Sequence, residues 1–394
     1  MTRRHHRLVG AGLFAALTTL GIAQWALDRT VAAQPIVQAP GFEVDPFWPK
    51  PLPNNWVLGE TIGLGIDSQD HVWIVHRADR VNAIEGAADE KPPTASCCRR
   101  APWVLEFDPA GNLVGHWGGP GEGYEWPVSN HGIFVDYKDN VWIGGNDARD
   151  AHILKFTKSG RFLMQFGHQG QSKGSNDTDN FGRVAKIFVD PKENEAYVAD
   201  GYGNKRVAVI DADTGRFKRY WGAYGNKPND TNLGPYNPNA PPAQQFRTPV
   251  HCAELSNDGL VYVCDRPNDR IQVFRKDGTF VKEQFIAKRT LGDGSVWDIA
   301  FSKDPQQKYM YLADGKNEKI YVMDRESLQI LTSFGDGGRQ PGQFFAVHSI
   351  ATDSKGNVYT TETYEGRRLQ KFVYRGLAPV TRTDQGTVWP TPPR

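Results

Sequence analysis

Residues 131–167, HGIFVDYKDNVWIGGNDARDAHILKFTKSGRFLMQFG, constrain the fold of this chain more than any other stretch. They divide into four apolar runs, HGIFVD, NVWIGG, HILKFT and RFLMQFG, separated by a tight YKDN turn, a longer polar loop and a KSG turn. Each run is rich in β-branched and aromatic residues and bounded by Gly, Asn, Asp or Ser, the pattern of short strands joined by hairpin turns. A lone meander of this size cannot cover both of its faces, so it needs neighbours of its own kind.

The chain supplies them. Residues 62–118 hold a first copy, IGLGIDSQDHVWIVHRAD, closed after a long loop by WVLEFDPAGNLVGHWG. Copy three is AKIFVDPKENEAYVADGYGNKRVAVIDADTGRFKRYWG and copy four HCAELSNDGLVYVCDRPNDRIQVFRKDGTFVKEQF. Copy five is WDIAFSKDPQQKYMYLADGKNEKIYVMDRESLQILTSFG, and copy six, HSIATDSKGNVYTTETYEGRRLQKFVY, lacks a fourth strand. Six such units in succession predict an all-β, six-bladed β-propeller with four antiparallel strands per blade. The isolated strand-like piece GFEVDPFW, ahead of the first copy, is expected to supply the missing strand and close the ring.

The rest of the chain is read around this array. Residues 2–7 are basic, residues 8–27 almost uninterruptedly apolar, and Val31, Ala32 and Ala33 offer the small side chains a signal peptidase accepts. We therefore expect residues 1–33 to be a signal peptide or, given an apolar run long enough to span a bilayer, a membrane anchor. Residues 34–54 form the linker and closing strand, 55–376 the propeller and 377–394 a C-terminal tail. Either reading of the amino terminus means export, to a periplasmic or secreted location. With 46 basic and 45 acidic residues, the chain has no electrostatic reason to bind nucleic acid.

If the innermost strand of each blade starts at the top, the loops after strands two and four surround one mouth. The long insertions, residues 80–101, 168–181, 225–246 and 336–343, all fall there, whereas the turns of the opposite face are tight. Loops held by a rigid scaffold carry function, so this mouth is the expected site.

Register sharpens that expectation. Aligned on Asp67, Asp136, Asp190, Ser256, Ser302 and Asp353, the position five residues earlier is Ile62, His131, Ala185, His251, Trp297 and His348. Histidine thus opens the inner strand of alternate blades, about 120° apart around the axis. Ten histidines in 394 residues would fill three chosen positions by composition only on the order of once in 10⁵. Three imidazoles converging on one axis predict a metal centre with a coordination position left open. Zinc, iron, copper and nickel all suit such donors. Tyr202, in ADGYGNKR, and Arg77, in IVHRADR, follow second strands and so reach the same mouth. Tyr202 suits a general base and Arg77 a carboxylate clamp. Their bland alternatives are a tyrosine capping a blade edge and an arginine paired with Asp79. His71, His76, His116, His152 and His168 share no register and are read as structural.

The stretches VHRAD, NHGIFVDYKDNVWIGG, VADGYGNKR, VHCAELSNDGLVYVCDRPNDRIQVF and VHSIATDSKGNVYTTETYEGRRLQKF resemble the NHL-repeat propeller of peptidyl-α-hydroxyglycine α-amidating lyase. The resemblance runs over about residues 55–375. It implies catalytic zinc on His131, His251 and His348, a substrate carboxylate on Arg77, and deprotonation by Tyr202. Three positions depart from the family. Gly203 stands where a disulfide cysteine follows the tyrosine, Ala346 replaces a methionine of the pocket wall, and Ser349 replaces an aspartate that helps hold structural calcium, which argues against calcium here. No copper monooxygenase sequence precedes the repeats, so a hydroxylated substrate is expected from another protein. Cys252 and Cys264 flank one hairpin and are placed for a cross-strand disulfide or two buried thiols; Cys97 and Cys98 are either a vicinal disulfide or reduced.

The sequence thus reads as an exported metal-dependent lyase. Its expected substrate is a small molecule or peptide with a carboxylate and a carbinolamide, cleaved at N–Cα to an amide and glyoxylate. Two rivals remain at this level: a non-catalytic propeller presenting its top face to a protein or glycan, which would not need the histidines, and a lactonase-type hydrolase, whose metal would sit mainly among carboxylates. Fold alone decides between none of these.

Overall fold

A computed structural model describes residues 37–390. The expected signal or anchor segment lies outside the described residues. Six four-stranded antiparallel sheets follow one another along the chain, and in each the first strand lies innermost. These inner strands are Glu60–Ile66, Asn130–Val135, Val184–Asp190, Val250–Leu255, Asp298–Phe301 and Val347–Thr352. Each packs beside the next, and the sixth returns to the first, so the sheets form a closed six-bladed propeller.

Alternation explains why the blades stack. Successive side chains of a strand face opposite sides of the sheet, and here both sides are covered by neighbouring blades. The core accordingly divides into six clusters, one at each blade junction, such as Val75, Ile133 and Ile143 between blades one and two and Val209, Ala253 and Val263 between blades three and four.

The ring closes as expected from GFEVDPFW. Gln38–Asp45 pairs antiparallel with Leu369–Pro379 as the outer strand of blade six, with Phe42 opposite Tyr374 and Val44 opposite Phe372. Leu369–Pro379 runs three residues past 376, and the segment beyond it still bonds the propeller: Ser333 donates its N–H to Thr383 O at 3.0 Å and Val44 to Val388 O at 2.8 Å.

The alignment markers have a physical role. Asp136 Oδ1 accepts the backbone N–H groups of Lys138 and Asn140, each at 2.9 Å, while Oδ2 accepts Trp142 Nε1 at 2.8 Å. Asp67 repeats the arrangement with Gln69, His71 and Trp73, and Asp353 with Lys355, Asn357 and the Tyr359 hydroxyl. One carboxylate thus caps the turn and anchors the second strand's buried aromatic ring, which fixes the register of everything upstream.

Both cysteine pairs are disulfides. Cys252 and Cys264 are direct cross-strand partners with Cα atoms 4.8 Å apart, and Cys97 and Cys98 form a vicinal bridge in the long loop of blade one. Among the described residues no helix is long and apolar enough to cross a membrane.

Candidate metal centre

A register shift in the pairing of first and second strands falls at the top of five blades: between Thr61 and Gly63, His131 and Ile133, Val184 and Lys186, Val250 and Cys252, and Val347 and Ser349. A bulge adds one residue, bends the strand and re-aims the side chain it carries. Here it turns the histidine positions inward. The ligand atoms of His131, His251 and His348 lie within 4.8 Å of one another, with ring centroids 4.8 to 5.3 Å apart. Ile62, Ala185 and Trp297 fill the other three places of the ring, all buried. Gly132, at φ 70°, permits the close approach: a Cβ there would stand 2.5 Å from Ala185 O.

That carbonyl orients the His131 ring. His131 Nδ1 lies 2.7 Å from Ala185 O and His251 Nδ1 2.5 Å from Trp297 O, so in both rings Nδ1–H donates to a backbone carbonyl and the Nε2 lone pair is presented to the axis. His348 Nδ1 lies 3.2 Å from Ser349 Oγ, which itself donates to Ile62 O at 3.0 Å. Burial pushes all three imidazoles well below the usual histidine range, and the charges of Arg77 and Arg266 push His131 and His348 the same way. Neutral imidazoles with tied Nδ1 atoms and convergent Nε2 atoms fit a transition metal.

The mouth above the histidines is polar and cationic. Tyr202 Oη stands 3.1 Å from His131 Nε2 and 3.0 Å from His251 Nε2. Arg266 donates from Nη1 to that oxygen at 3.2 Å and stacks its guanidinium 4.4 Å from the Trp297 ring centroid. Arg77 does not pair with Asp79: Nη1 donates to Glu60 Oε2 at 2.5 Å and Nη2 to Asn146 Oδ1 at 2.8 Å. Nε of Arg77 and Nε of Arg266 are both buried with no partner. Each guanidinium also has a carboxylate beside it, Glu60 at Arg77 and Asp293 3.9 Å from Arg266. Arg266 escaped the reading of the sequence, although it follows the second strand of blade four in YVCDRPNDR, in the same loop series as Tyr202 and Arg77.

A second group, Asp67, His71 and Glu106, also brings ligand atoms within 4.8 Å of one another. Its atoms are committed: His71 Nδ1 lies 2.7 Å from Glu106 Oε1, and Asp67 Oδ2 holds Lys158 at 2.7 Å as well as Trp73. His76 is structural, with Nε2 2.8 Å from Pro102 O, its ring held near a pKa of about 4 by burial.

Fold and site together define a class, a six-bladed propeller with a three-histidine cluster on its axis. No family model matches the chain. It is similar to peptidyl-glycine alpha-amidating monooxygenase B of Xenopus laevis, with 27% identity over 336 residues covering 82% of the chain and 34% of the relative. Peptidyl-alpha-hydroxyglycine alpha-amidating lyase 1 of Drosophila melanogaster is 26% identical over 84% of the chain and 59% of its own length. NHL repeat-containing protein 3 of Mus musculus is 24% identical over 86% of the chain and 85% of its own. The chain therefore spans about a third of the Xenopus protein and most of the NHL protein. Among solved structures, streptogramin B lyase shares the fold, with a TM-score of 0.50 at 13% identity over 85% of this chain and 98% of that one.

Proposed function

We propose that the chain is an exported metal-dependent lyase acting on N-acyl-α-hydroxyglycines. The observation that carries this reading is the axial trio His131, His251 and His348 with the Tyr202 hydroxyl 3.0 to 3.1 Å from two of its Nε2 atoms and two arginines whose buried Nε atoms lack partners. The lyase relatives support it.

Zinc held by the three histidines would supply a Lewis acid that polarises the substrate oxygen. The side chains account for the rest. Arg77 and Arg266 offer N–H donors to the substrate carboxylate, a charge-assisted contact that also orients the hydroxyl. Tyr202, acting as its phenolate, would take the proton of that hydroxyl and pass it on to the departing nitrogen. As the proton leaves, the C–O bond becomes C=O, the N–Cα bond breaks, and its electron pair goes to nitrogen, which takes a proton. R–CO–NH–CH(OH)–COO⁻ thus becomes R–CO–NH₂ and glyoxylate, with atoms and charge conserved. Trp297, buried against Arg266 and His348, excludes water from one side.

Export is supported by the basic and apolar residues 1–33 and by two disulfides, which persist in oxidising compartments. Membrane anchoring through the same segment remains part of this proposal.

The test compares metal content and glyoxylate release of the purified protein with those of the His131→Ala, His251→Ala, His348→Ala triple variant. One equivalent of zinc or another transition metal and measurable glyoxylate, both lost in the variant, are expected. NHL repeat-containing protein 3, similar over most of both chains, is not named as a lyase, and the second reading is a binding propeller without catalysis. Protein without stoichiometric metal, and inert toward α-hydroxyglycines, would decide for it.

A further inference from the structure

Next to the three histidines, on the inner strands of the same ring, stand three buried charges that the proposed reaction does not use. Lys186 lies between two carboxylates, with Nζ 2.7 Å from Asp298 Oδ1 and 2.8 Å from Glu254 Oε1. None of the three residues is more than 9% exposed. The two groups meet at a cavity of about 10 Å³, the size of one water, which His131, His251, Lys186 and Asp298 line together.

The charges reach all three histidines through the backbone. Lys186 follows Ala185, whose carbonyl accepts His131 Nδ1–H at 2.7 Å, and Asp298 follows Trp297, whose carbonyl accepts His251 Nδ1–H at 2.5 Å. The contact between Lys186 and Asp298 therefore couples the two peptide units that orient those rings. In blade three the register shift between Val184 and Lys186 falls on Ala185, so the place of its carbonyl depends on where Lys186 is held. Glu254 shares the strand Val250–Leu255 with His251. In blade six, Asp298 Oδ2 accepts the N–H of Ile350 at 3.0 Å, on the strand that carries His348.

Stability alone accounts poorly for such a cluster. Replacing a buried ion pair with apolar side chains is often neutral or stabilising, whereas the outer contacts that orient metal-binding imidazoles set affinity. We infer that Lys186, Glu254 and Asp298 are positioning residues of the metal centre, holding the acceptor carbonyls of His131 and His251 and the strand of His348 where the three imidazoles converge. The inference rests on the reading of the trio as metal ligands.

The experiment measures zinc affinity by competition with a chromophoric chelator, and the visible spectrum of the cobalt(II)-loaded protein, both below the unfolding transition. Lys186→Met should weaken zinc binding by about 10- to 100-fold, the usual scale for losing an outer contact of a metal-bound histidine, and should alter the cobalt bands, which report ligand geometry. Lys186→Met combined with Asp298→Asn should regain stability yet keep the weakened affinity, because the tie between the two carbonyls is still absent. Ile210→Ala, a fully buried position on Arg206–Asp211 in blade three, is the control: it should lose stability while binding zinc within about twofold of the wild type. Wild-type affinity and an unchanged cobalt spectrum in both Lys186 variants would overturn the positioning role and leave the metal centre intact. An affinity that falls in Ile210→Ala and recovers in the double variant would overturn it too, since that is how a scaffold behaves. Wild-type protein that takes up neither zinc nor cobalt would remove the metal reading, and this inference with it.

Discussion

Tyr202 is the residue on which the proposed chemistry turns. Its hydroxyl sits within hydrogen-bond reach of two histidine Nε2 atoms and of Arg266, yet it can donate only one proton. Tyr202→Phe keeps the ring contacts with both histidines and removes only the oxygen. Metal content should stay at one equivalent while kcat for glyoxylate release falls by about 10²- to 10⁴-fold, the usual scale for losing a proton-transfer group. Loss of metal along with activity would make Tyr202 a structural partner of the ligands instead. Asp269 offers a residue-scale prediction of another kind. Burial, reinforced by the nearby Asp314, pushes its carboxyl up to about 7, and Oδ2 has no partner. The folded state therefore holds a proton there up to about pH 7, whereas the unfolded chain releases it near the ordinary 3.8. Between those values the folded state binds more protons, so this group's contribution to stability falls as pH rises from about 4 to about 7. Asp269→Asn cannot ionise, and asparagine tolerates the φ of 53° found there. Thermal unfolding midpoints at pH 4.5 and pH 8 should show the variant gaining on the wild type at the higher pH; a constant difference would mean the carboxyl titrates normally.

At the scale of the strands, the bulges and the axis beneath them decide the site. The Asp-capped turns were plain in the sequence because Asp67, Asp136 and Asp353 recur with the residues they bond, and five residues upstream the histidines came into view through that register alone. The bulges that aim them left no comparable trace, since a bulge is a matter of pairing with the next strand and not of composition. Nor did the sequence disclose Lys186. This residue, on Val184–Asp190, binds Asp298 Oδ1 at 2.7 Å and Glu254 Oε1 at 2.8 Å, and Asp298 Oδ2 accepts the Ile350 N–H at 3.0 Å. Four blades are thereby tied across the axis through three buried charges. The neighbouring carboxylates hold the Lys186 ammonium well above the usual lysine range, while burial raises Glu254 and Asp298. Lys186 follows Ala185, and Asp298 follows Trp297, whose carbonyls orient His131 and His251. Lys186→Met leaves two buried carboxylates without their cation, a change expected to cost about 3–5 kcal/mol in urea unfolding. Adding Asp298→Asn should recover part of that loss, since it removes one of the stranded charges. A single variant as stable as the wild type would mean that water or protonation already satisfies the pair.

For the molecule as a whole, the repeat count and the place of the closing strand were legible, because an array of identical meanders has few ways to cover its ends. The path of residues 225–246 over blade four was not, since they carry no repeat and are held by Arg247 at the carbonyls of Leu233 and Gly234 and by Asn268 at that of Gln245. Closure is the property that binds these scales together. His348 lies on the inner strand of blade six, and the outer strand of that blade is Gln38–Asp45, contributed from the far end of the chain. Phe42 and Val44, 5% and 1% exposed, pack into the junction of blades five and six against Tyr311, Phe334 and Phe372. Removing residues 1–45 deletes Phe42 and Val44, uncovers Tyr311, Phe334 and Phe372 and leaves the edge of Leu369–Pro379 unpaired, whereas removing residues 1–36 leaves the strand in place. The longer truncation should lose about 4–6 kcal/mol from the apolar burial of the two side chains, at about 2–3 kcal/mol each, and should bind metal below one equivalent as blade six loosens and His348 with it. The shorter truncation should match the parent protein in both measurements. Identical metal content and unfolding midpoints for the two truncations would mean that the ring is held by its inner strands and the axial charges alone, with Gln38–Asp45 only a cover for an edge.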